Sequence, residues 1–398
     1  MAVLERSQRP QILHCPGPEN LPLKETSIDV IAGFKIAIDG LEGHHYPLDV
    51  ELEKHWFVNS KAALAGSGLP APRTEVIEVD GYPTPARDCC DICRAAESDH
   101  DDDDILTIVP YDCKGPRGDW VREGEQKIIS AIAARCTPFV LKSQQTFGGS
   151  GTWIINDVQQ RNQILNEISR DDGVIRRILS QVNDGNHHLQ PGSMILSECV
   201  KDIIGNYGVT LFVTDTGDVI FMGVAEQLFA SDGKAWTGSI INYEKQGMLQ
   251  ERLKPVMEQT AQWLSKGQGY HGPVGIDILE TEMVGDTARH NGERPPLQIV
   301  DLNVRVAGSM SLPLLKSHFT SRGLQCASVS MVTMRHGRPE FIARWKDDFE
   351  SGRMIIISWY YDPGTNTSLG SIVVGGEDEN ILHEIIEKVH RTTGGVTF

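Results

Sequence analysis

Residues 272–280 read GPVGIDILE, and residues 296–305 read PLQIVDLNVR. Both are short runs of Val, Ile and Leu bounded by Gly or Pro, the signature of strands. A polar loop, 281–295, joins them. Each run holds an aspartate between apolar neighbours, Asp277 and Asp301. A carboxylate in such surroundings calls for a partner. The strand period of two puts Asp301, Asn303 and Arg305 on one face. If the two runs pair antiparallel, Asp277 can meet Asp301 across the ladder, a like-charge approach that a divalent cation makes tolerable. Carboxylate oxygens, an amide oxygen and a guanidinium projecting together suit a magnesium nucleotide. The hard oxygens take the metal, and the arginine takes a phosphoryl or acyl-phosphate oxygen. The plainer alternative is a set of solvent-facing polar residues on an edge strand.

Working outward, PFVLK (138–142) predicts a strand ending at Lys142, followed by the loop QQTFGGSGT (144–152) and a second strand, TWII (152–155). Gly148, Gly149 and Gly151 would let backbone N–H groups close over phosphates, with Lys142 as a point charge beside them. This is not a P-loop, since GxxxxGK[ST] is absent, and an ordinary glycine-rich hairpin turn is the competing reading. Asp157 and Gln160 form a capping-box signature for a helix over 158–170. MILSECV (194–200) predicts a strand whose end could offer backbone groups to an adenine edge. The run 208–229 predicts a hairpin turned by DTGD. A helix is expected over 249–266, kinked or started near Pro255, then a strand pair at 353–361 and 370–376, and a capped helix over 378–391.

Toward the N-terminus, 50–66 predicts one helix, stopped by Pro70 and Pro72, and 74–79 a strand. Residues 80–124 hold four of the eight cysteines, the run Asp101–Asp104 and several Gly and Pro, and read as a surface insertion. A helix is then expected over 124–136. The acidic run lacks the spaced ligands and glycine of an EF-hand. Cys90 and Cys93 make one C-x₂-C, preceded by Cys89 and followed by His100 and Cys113, without the second close pair of a structural zinc site. His187 and His188 have no third ligand, and Cys199 reads as a small packing residue. The pattern is mixed α+β with antiparallel pairs.

The whole chain has 398 residues, with 37 Lys and Arg against 54 Asp and Glu, a net charge of −17. At ~150 residues per domain this predicts two or three domains. An apolar fraction of 40% supports a sizeable core. The acidic excess argues against nucleic-acid or anionic-membrane binding. No apolar run reaches a membrane span of ~18–20 residues, the first residues lack a signal-peptide core, and the sparse cysteines fit reduced thiols, so a cytoplasmic protein is expected.

Taken in order, NSKAALAGSGLPAPRT (59–74), PFVLKSQQTFGGSGT (138–152), SECV (197–200), GPVGIDILE (272–280) and QIVDLNVRVAGS (298–309) resemble the ATP-grasp superfamily. The tail DLNVR resembles that family's acidic-x-Asn-x-Arg close, with Asp where Glu is commoner. The resemblance covers roughly residues 50–345 and implies an α+β fold of two lobes gripping MgATP. The expected domains are an N-terminal region (1–125) carrying the insertion, a small lobe (126–200), a large lobe with the metal site (201–345) and a C-terminal α+β appendage (346–398). The N-terminal region is shorter than is usual in the family.

The resemblance also implies roles. Lys61 and Lys142 would contact the ATP phosphates, and Gly148, Gly149, Ser150, Gly151 and Thr152 would form the lid. Glu198, Cys199 and Val200 would frame the adenine, and Asp202 or Asn206 would hold the ribose. Asp277, Asp301 and Asn303 would hold one or two Mg²⁺, with Mn²⁺ a plausible substitute, and Arg305 would steady the transferred phosphoryl. Glu226, Lys234 and Trp236, after the 208–229 hairpin, are substrate candidates. The implied chemistry is ADP-forming ligation through an acyl phosphate, joining a small carboxylate to an amine or, less often, a thiol. The likeness is nearest to the amino-acid and peptide ligases of secondary metabolism. The alternatives are an ATP-grasp kinase and a non-catalytic ATP-binding regulator. The 353–398 module carries no motif that decides between covering the site and making a homodimer.

Overall fold

The computed structural model describes residues 50–83, 108–147, 149–170, 173–229, 236–282 and 296–393. Outside them lie Cys89, Cys90, Cys93, His100, the run Asp101–Asp104, Gly148, Lys234 and most of the 281–295 loop. The described residues fall into two compact units that divide between Val200 and Lys201, with Val50 assigned to the second.

The first unit opens with helices α1 (Leu52–Val58) and α2 (Lys61–Gly66). The single helix expected over 50–66 is therefore two. Asn59 turns its Nδ2 back to donate to the His55 carbonyl at 2.9 Å, and Ser60 becomes the next N-cap, its Oγ accepting from the Ala63 N–H at 3.1 Å. Strand β1 (Thr74–Ile77) follows, then the long helix α3 (Pro116–Ala134). This helix corrects the expected insertion over 80–124, at least from 108 onward. Pro116 occupies the helix start, where its missing N–H costs nothing. Val109, Cys113, Trp120 and Val121 are core residues, so Cys113 is a buried thiol and not a surface one. Gly118 and Gly124 are close-packing positions, since a Cβ at Gly124 would lie 2.7 Å from Val79 Cγ1.

Next come β2 (Phe139–Phe147), β3 (Ser150–Ile155), α4 (Val158–Ile168), α5 (Val174–Ser180) and β4 (Met194–Glu198). Asp157 caps α4 as expected, accepting from Gln160 N at 2.8 Å, and Gln160 Oε1 reaches back to accept from Asn156 N. The four strands form an antiparallel sheet in the order β1-β4-β2-β3. Ile128 and Ile132 of α3, Ile164 of α4 and Leu179 of α5 pack with Phe139, Leu141 and Leu196 of the sheet in one core.

The second unit is an eight-stranded antiparallel sheet with helices on it. Its elements are β5 (Ile203–Val213), β6 (Val219–Phe229), β7 (Trp236–Asn242), α6 (Gln246–Gln262), β8 (Gly272–Thr281) and β9 (Leu297–Asn303). They continue as α7 (Ser311–Leu314), α8 (Lys316–Thr320), β10 (Cys326–Met334), α9 (Arg338–Arg344), α10 (Lys346–Glu350), β11 (Met354–Asp362), β12 (Thr367–Gly376) and α11 (Glu379–Thr392). The order is β11-β12-β10-β7-β6-β5-β8-β9. Helix α6 runs through Pro255. The strand pair at the C-terminal end is continuous with this sheet, because β12 pairs with β10 along its whole length, from Cys326↔Gly376 to Met334↔Ser368. The expected boundary between 345 and 346 is thus not a boundary of the architecture. Helix α11, capped by Asp378, lays Leu382, Ile386 and Val389 into a core with Val332, Met334, Ile372 and Val374. The architecture is α+β, with every strand pair among the described residues antiparallel.

Candidate active site

The register of β8 and β9 places Asp277 opposite Asp301. A bulge follows at once, since Ile278 pairs with Ile299 and the ladder shifts by one residue. Ile276 and Ile278 are fully buried, so the Asp277 side chain takes the other, half-open face. Asn303 Nδ2 donates to Asp277 Oδ2 at 3.2 Å. Arg305 lies just past the end of β9 and so does not share the strand face by simple alternation. Its guanidinium still joins the group, Nη2 donating to Asn303 Oδ1 at 2.7 Å and Nη1 to the Val306 carbonyl at 3.1 Å. Burial pulls the Arg305 pKa down, while the charges of Asp301 and Asp277 push it back up.

Gln227 is a member of this group that sequence reading missed. Its Nε2 donates to Asp277 Oδ1, although β6 and β8 are separated by β5. The bond passes over Gly208, which pairs with Ala225 on one side and with Asp277 on the other. A Cβ at Gly208 would lie 3.1 Å from Gln227 Nε2, so the bare backbone leaves the passage open. Gly275 does the same on the far side. It pairs with Asn303, and a Cβ there would meet Ala307 Cβ at 2.7 Å and Asn303 Cβ at 3.3 Å. The two glycines thus let a row of polar side chains, Gln227, Asp277, Asn303 and Arg305, run across the sheet.

Asp277, Asp301 and Asn303 suit a hard cation. Two opposed carboxylates and an amide oxygen match the one or two carboxylates by which Mg²⁺ is held, its other positions going to water and phosphate. Among the described residues no group of three or more His, Cys, Asp or Glu gathers as a metal site.

Of the substrate candidates, Glu226 is exposed and lies on the opposite face of β6 from Gln227, so it does not join the row. Trp236 starts β7 and is half-buried, its Nε1 donating to Ser239 Oγ at 3.2 Å. Its ring lies against Gly308, just beyond Arg305, where a Cβ would come within 3.0 Å of the indole. Lys234 lies outside the described residues. After the first unit, Asp202 has φ +54° and is exposed, while Asn206 is half-buried on β5.

In the first unit, β2 continues through 143–147, so the glycine segment is the tip of the β2–β3 hairpin, closing with Phe147 opposite Ser150. Gly149 (φ 90°) and Gly151 (φ 77°) adopt the left-handed backbone that glycine allows at no steric cost. Lys142, half-buried, pairs in the ladders with Thr152 and Ile195. Lys61 is buried at the first position of α2. The two lysine-bearing segments are tied by Gln144, whose Oε1 accepts from the Ala62 N–H at 3.1 Å. Gln144 is a second residue that local pattern did not reveal. Glu198 ends β4, its N–H donating to the Arg73 carbonyl at 2.9 Å, with Cys199 half-buried and Val200 buried beyond it. Cys199 Sγ has only a weak contact, with the Val200 carbonyl at 3.8 Å.

No family model matches the chain. No curated protein matches it. Among solved structures it is similar to N5-carboxyaminoimidazole ribonucleotide synthetase from Thermus thermophilus, at 13% identity over 94% of this chain and 84% of that one, with a TM-score of 0.49. It is similar to N5-carboxyaminoimidazole synthetase from Staphylococcus aureus complexed with ADP, at 11% identity over 90% and 80% of the two chains, with a TM-score of 0.46. It is also similar to phosphoribosylamine–glycine ligase from Thermotoga maritima, at 12% identity over 86% and 78%, with a TM-score of 0.46.

Proposed function

We propose that this chain is an ADP-forming ligase of the ATP-grasp type, joining a small carboxylate, of amino-acid or peptide kind, to an amine. The observation that carries the reading is the opposed pair Asp277 and Asp301, extended by Asn303 and Arg305. On this reading Asp277, Asp301 and Asn303 hold Mg²⁺, which neutralises charge on the phosphates when bound. Arg305 steadies the transferred phosphoryl group. Lys61, Lys142 and the N–H groups of the β2–β3 tip bind phosphate oxygens, and the backbone of 198–200 receives the adenine.

In the reaction a carboxylate oxygen of the substrate attacks the γ-phosphorus. The bond from that phosphorus to the β,γ-bridging oxygen breaks, and ADP leaves. The amine nitrogen then attacks the acyl carbon, the acyl C–O bond breaks, phosphate departs and the amine gives up a proton. Such a transfer needs positioning and charge neutralisation more than covalent help from the protein. Lysines, a guanidinium and carboxylate-held metal are the groups it calls for. Closure of a glycine tip would exclude water that hydrolyses the acyl phosphate.

The test is to incubate the protein with Mg²⁺, ATP and a pool of amino acids and small carboxylates, following nucleotides by chromatography and adducts by mass. ADP with phosphate and a dehydrated adduct is the expected result. AMP with pyrophosphate overturns it, as does a phosphorylated product without free phosphate, which would mean a kinase. Lys142→Ala and Asp301→Ala should each abolish ADP formation in a folded protein. Full activity in either overturns the site assignment.

A further inference from the structure

In the second unit a cavity of about 460 Å³ lies at the end of β10, between the turn 335–337 with the start of α9 and the β11–β12 hairpin. Its lining includes Arg335, His336, Arg338, Trp359 and Tyr361. None of these belongs to the groups assigned to the ligase site. Two features of the wall are fixed from within. Trp359 Nε1 donates to Ser368 Oγ at 3.1 Å, and Ser368 Oγ donates to the His336 carbonyl at 2.8 Å. This relay ties the turn to the hairpin. Tyr361 OH donates to Asn366 Oδ1 at 2.9 Å, and Asn366 holds a left-handed φ of 52° that asparagine tolerates. The polar ends of both aromatic residues are thus engaged within the protein, which leaves their rings as apolar lining.

The charges are arranged differently. Arg335 and Arg338 line the cavity against one acid, Glu340, in a chain whose net charge is −17. Among the described residues neither arginine has an ion-pair partner. His336 Nδ1 is buried with no hydrogen-bond partner among the described residues.

We propose that this cavity is a second binding site, for a small aromatic carboxylate. The ring would lie on Trp359 and Tyr361 by offset or edge contact. The carboxylate would take the arginine fork, whose planar donors match it in pairs. The size is in the range of small-molecule sites, about 300–1,000 Å³.

The probe is 2-naphthoate, titrated by calorimetry into the full chain, with 2-naphthamide as the uncharged control and cyclohexanecarboxylate as the non-aromatic one. One site per chain is expected, with both controls at least ten-fold weaker. The Arg335→Gln/Arg338→Gln double variant should weaken 2-naphthoate at least ten-fold at unchanged melting temperature. Tyr361→Leu should also weaken it. Glu340→Gln should tighten it about two-fold, the scale of an exposed charge effect. Absence of 2-naphthoate binding overturns the proposal, and so does equal binding to the double variant or equal binding of the amide. Binding lost in Lys142→Ala but kept in the double variant also overturns it, because the probe would then sit where the ligase reaction takes its carboxylate.

Discussion

Gly208 shows how a missing side chain can position a present one. Gln227 reaches Asp277 only because the strand between them carries no Cβ at the crossing point. Gly208→Val should push the amide away from Asp277 Oδ1. We expect the Mg²⁺ needed for half-maximal ADP formation to rise several-fold while the melting temperature changes little. An unchanged Mg²⁺ requirement would show that Gln227 does not orient the carboxylate. A second residue-scale prediction concerns Arg353 and Glu377. A bidentate contact with Arg353 holds the Glu377 carboxyl down at about 2. A carboxylate with a depressed folded pKa contributes stability above its unfolded value, and that contribution is lost as pH falls through the folded value. Arg353→Ala should therefore flatten the fall in melting temperature between about pH 4.5 and about 2. Both groups are partly exposed, so the effect should be small and weaken further in salt. Asp277 and Asp301 were legible in the sequence because a carboxylate inside an aliphatic strand stands out locally. Gln227 and Gln144 were not. Their roles depend on partners 50 residues and 82 residues away in the chain, and nothing local marks them.

Among the elements, α5 escaped notice for a physical reason. Its sequence VIRRILS puts a charge where periodicity asks for an apolar residue, and that residue, Arg176, is 1% exposed. It pairs with Glu125 of α3 and donates to the Val109 carbonyl at 2.9 Å. Removing one partner of a buried pair takes away much of the other charge's compensation. Arg176→Ala should cost about 3–5 kcal/mol in urea unfolding. A loss under ~1 kcal/mol would mean that Glu125 is adequately solvated without it. Helix α3 begins earlier than the expected 124 because Pro116, Gly118 and Gly124, loop residues by local pattern, are part of it. Here the proline starts the helix and the glycines admit Cys113, Val79 and Leu179 to its surface. The helix caps are legible locally, because the capping aspartate lies three residues from the N–H that donates to it. Asp157 and Asp378 both accept from the third residue of their helices, and Asp378→Ala should cost about 1 kcal/mol.

At the scale of the whole molecule, each of three hydrophobic clusters among the described residues draws its members from one side of the division at Val200. One draws on residues 77–196, and the others on 225–389. Calorimetric unfolding should therefore depart from a single two-state transition, with a van't Hoff enthalpy below the calorimetric one. Ile132→Ala, a cavity mutation in the first core worth about 2–5 kcal/mol, should lower one transition and leave the other in place. Equal enthalpies and one shifted transition would mean that the two cores unfold together. Among the described residues no helix is long and apolar enough to cross a membrane. The antiparallel character of the chain was readable from its hairpins. The joining of β12 to β10 was not, because the pairing spans Cys326 to Gly376 with three elements between.

That same pairing bears on synthesis. The first unit's strands have all emerged once residue 200 leaves the ribosome, but β10 waits for β12 with one long side open. Until residues 367–376 arrive, the backbone of Cys326–Met334 offers unpaired N–H and C=O groups to any neighbouring nascent chain. A translational pause between 335 and 366 would prolong that exposure, so slow codons or stalling there should cost soluble yield more than the same delay placed before residue 200.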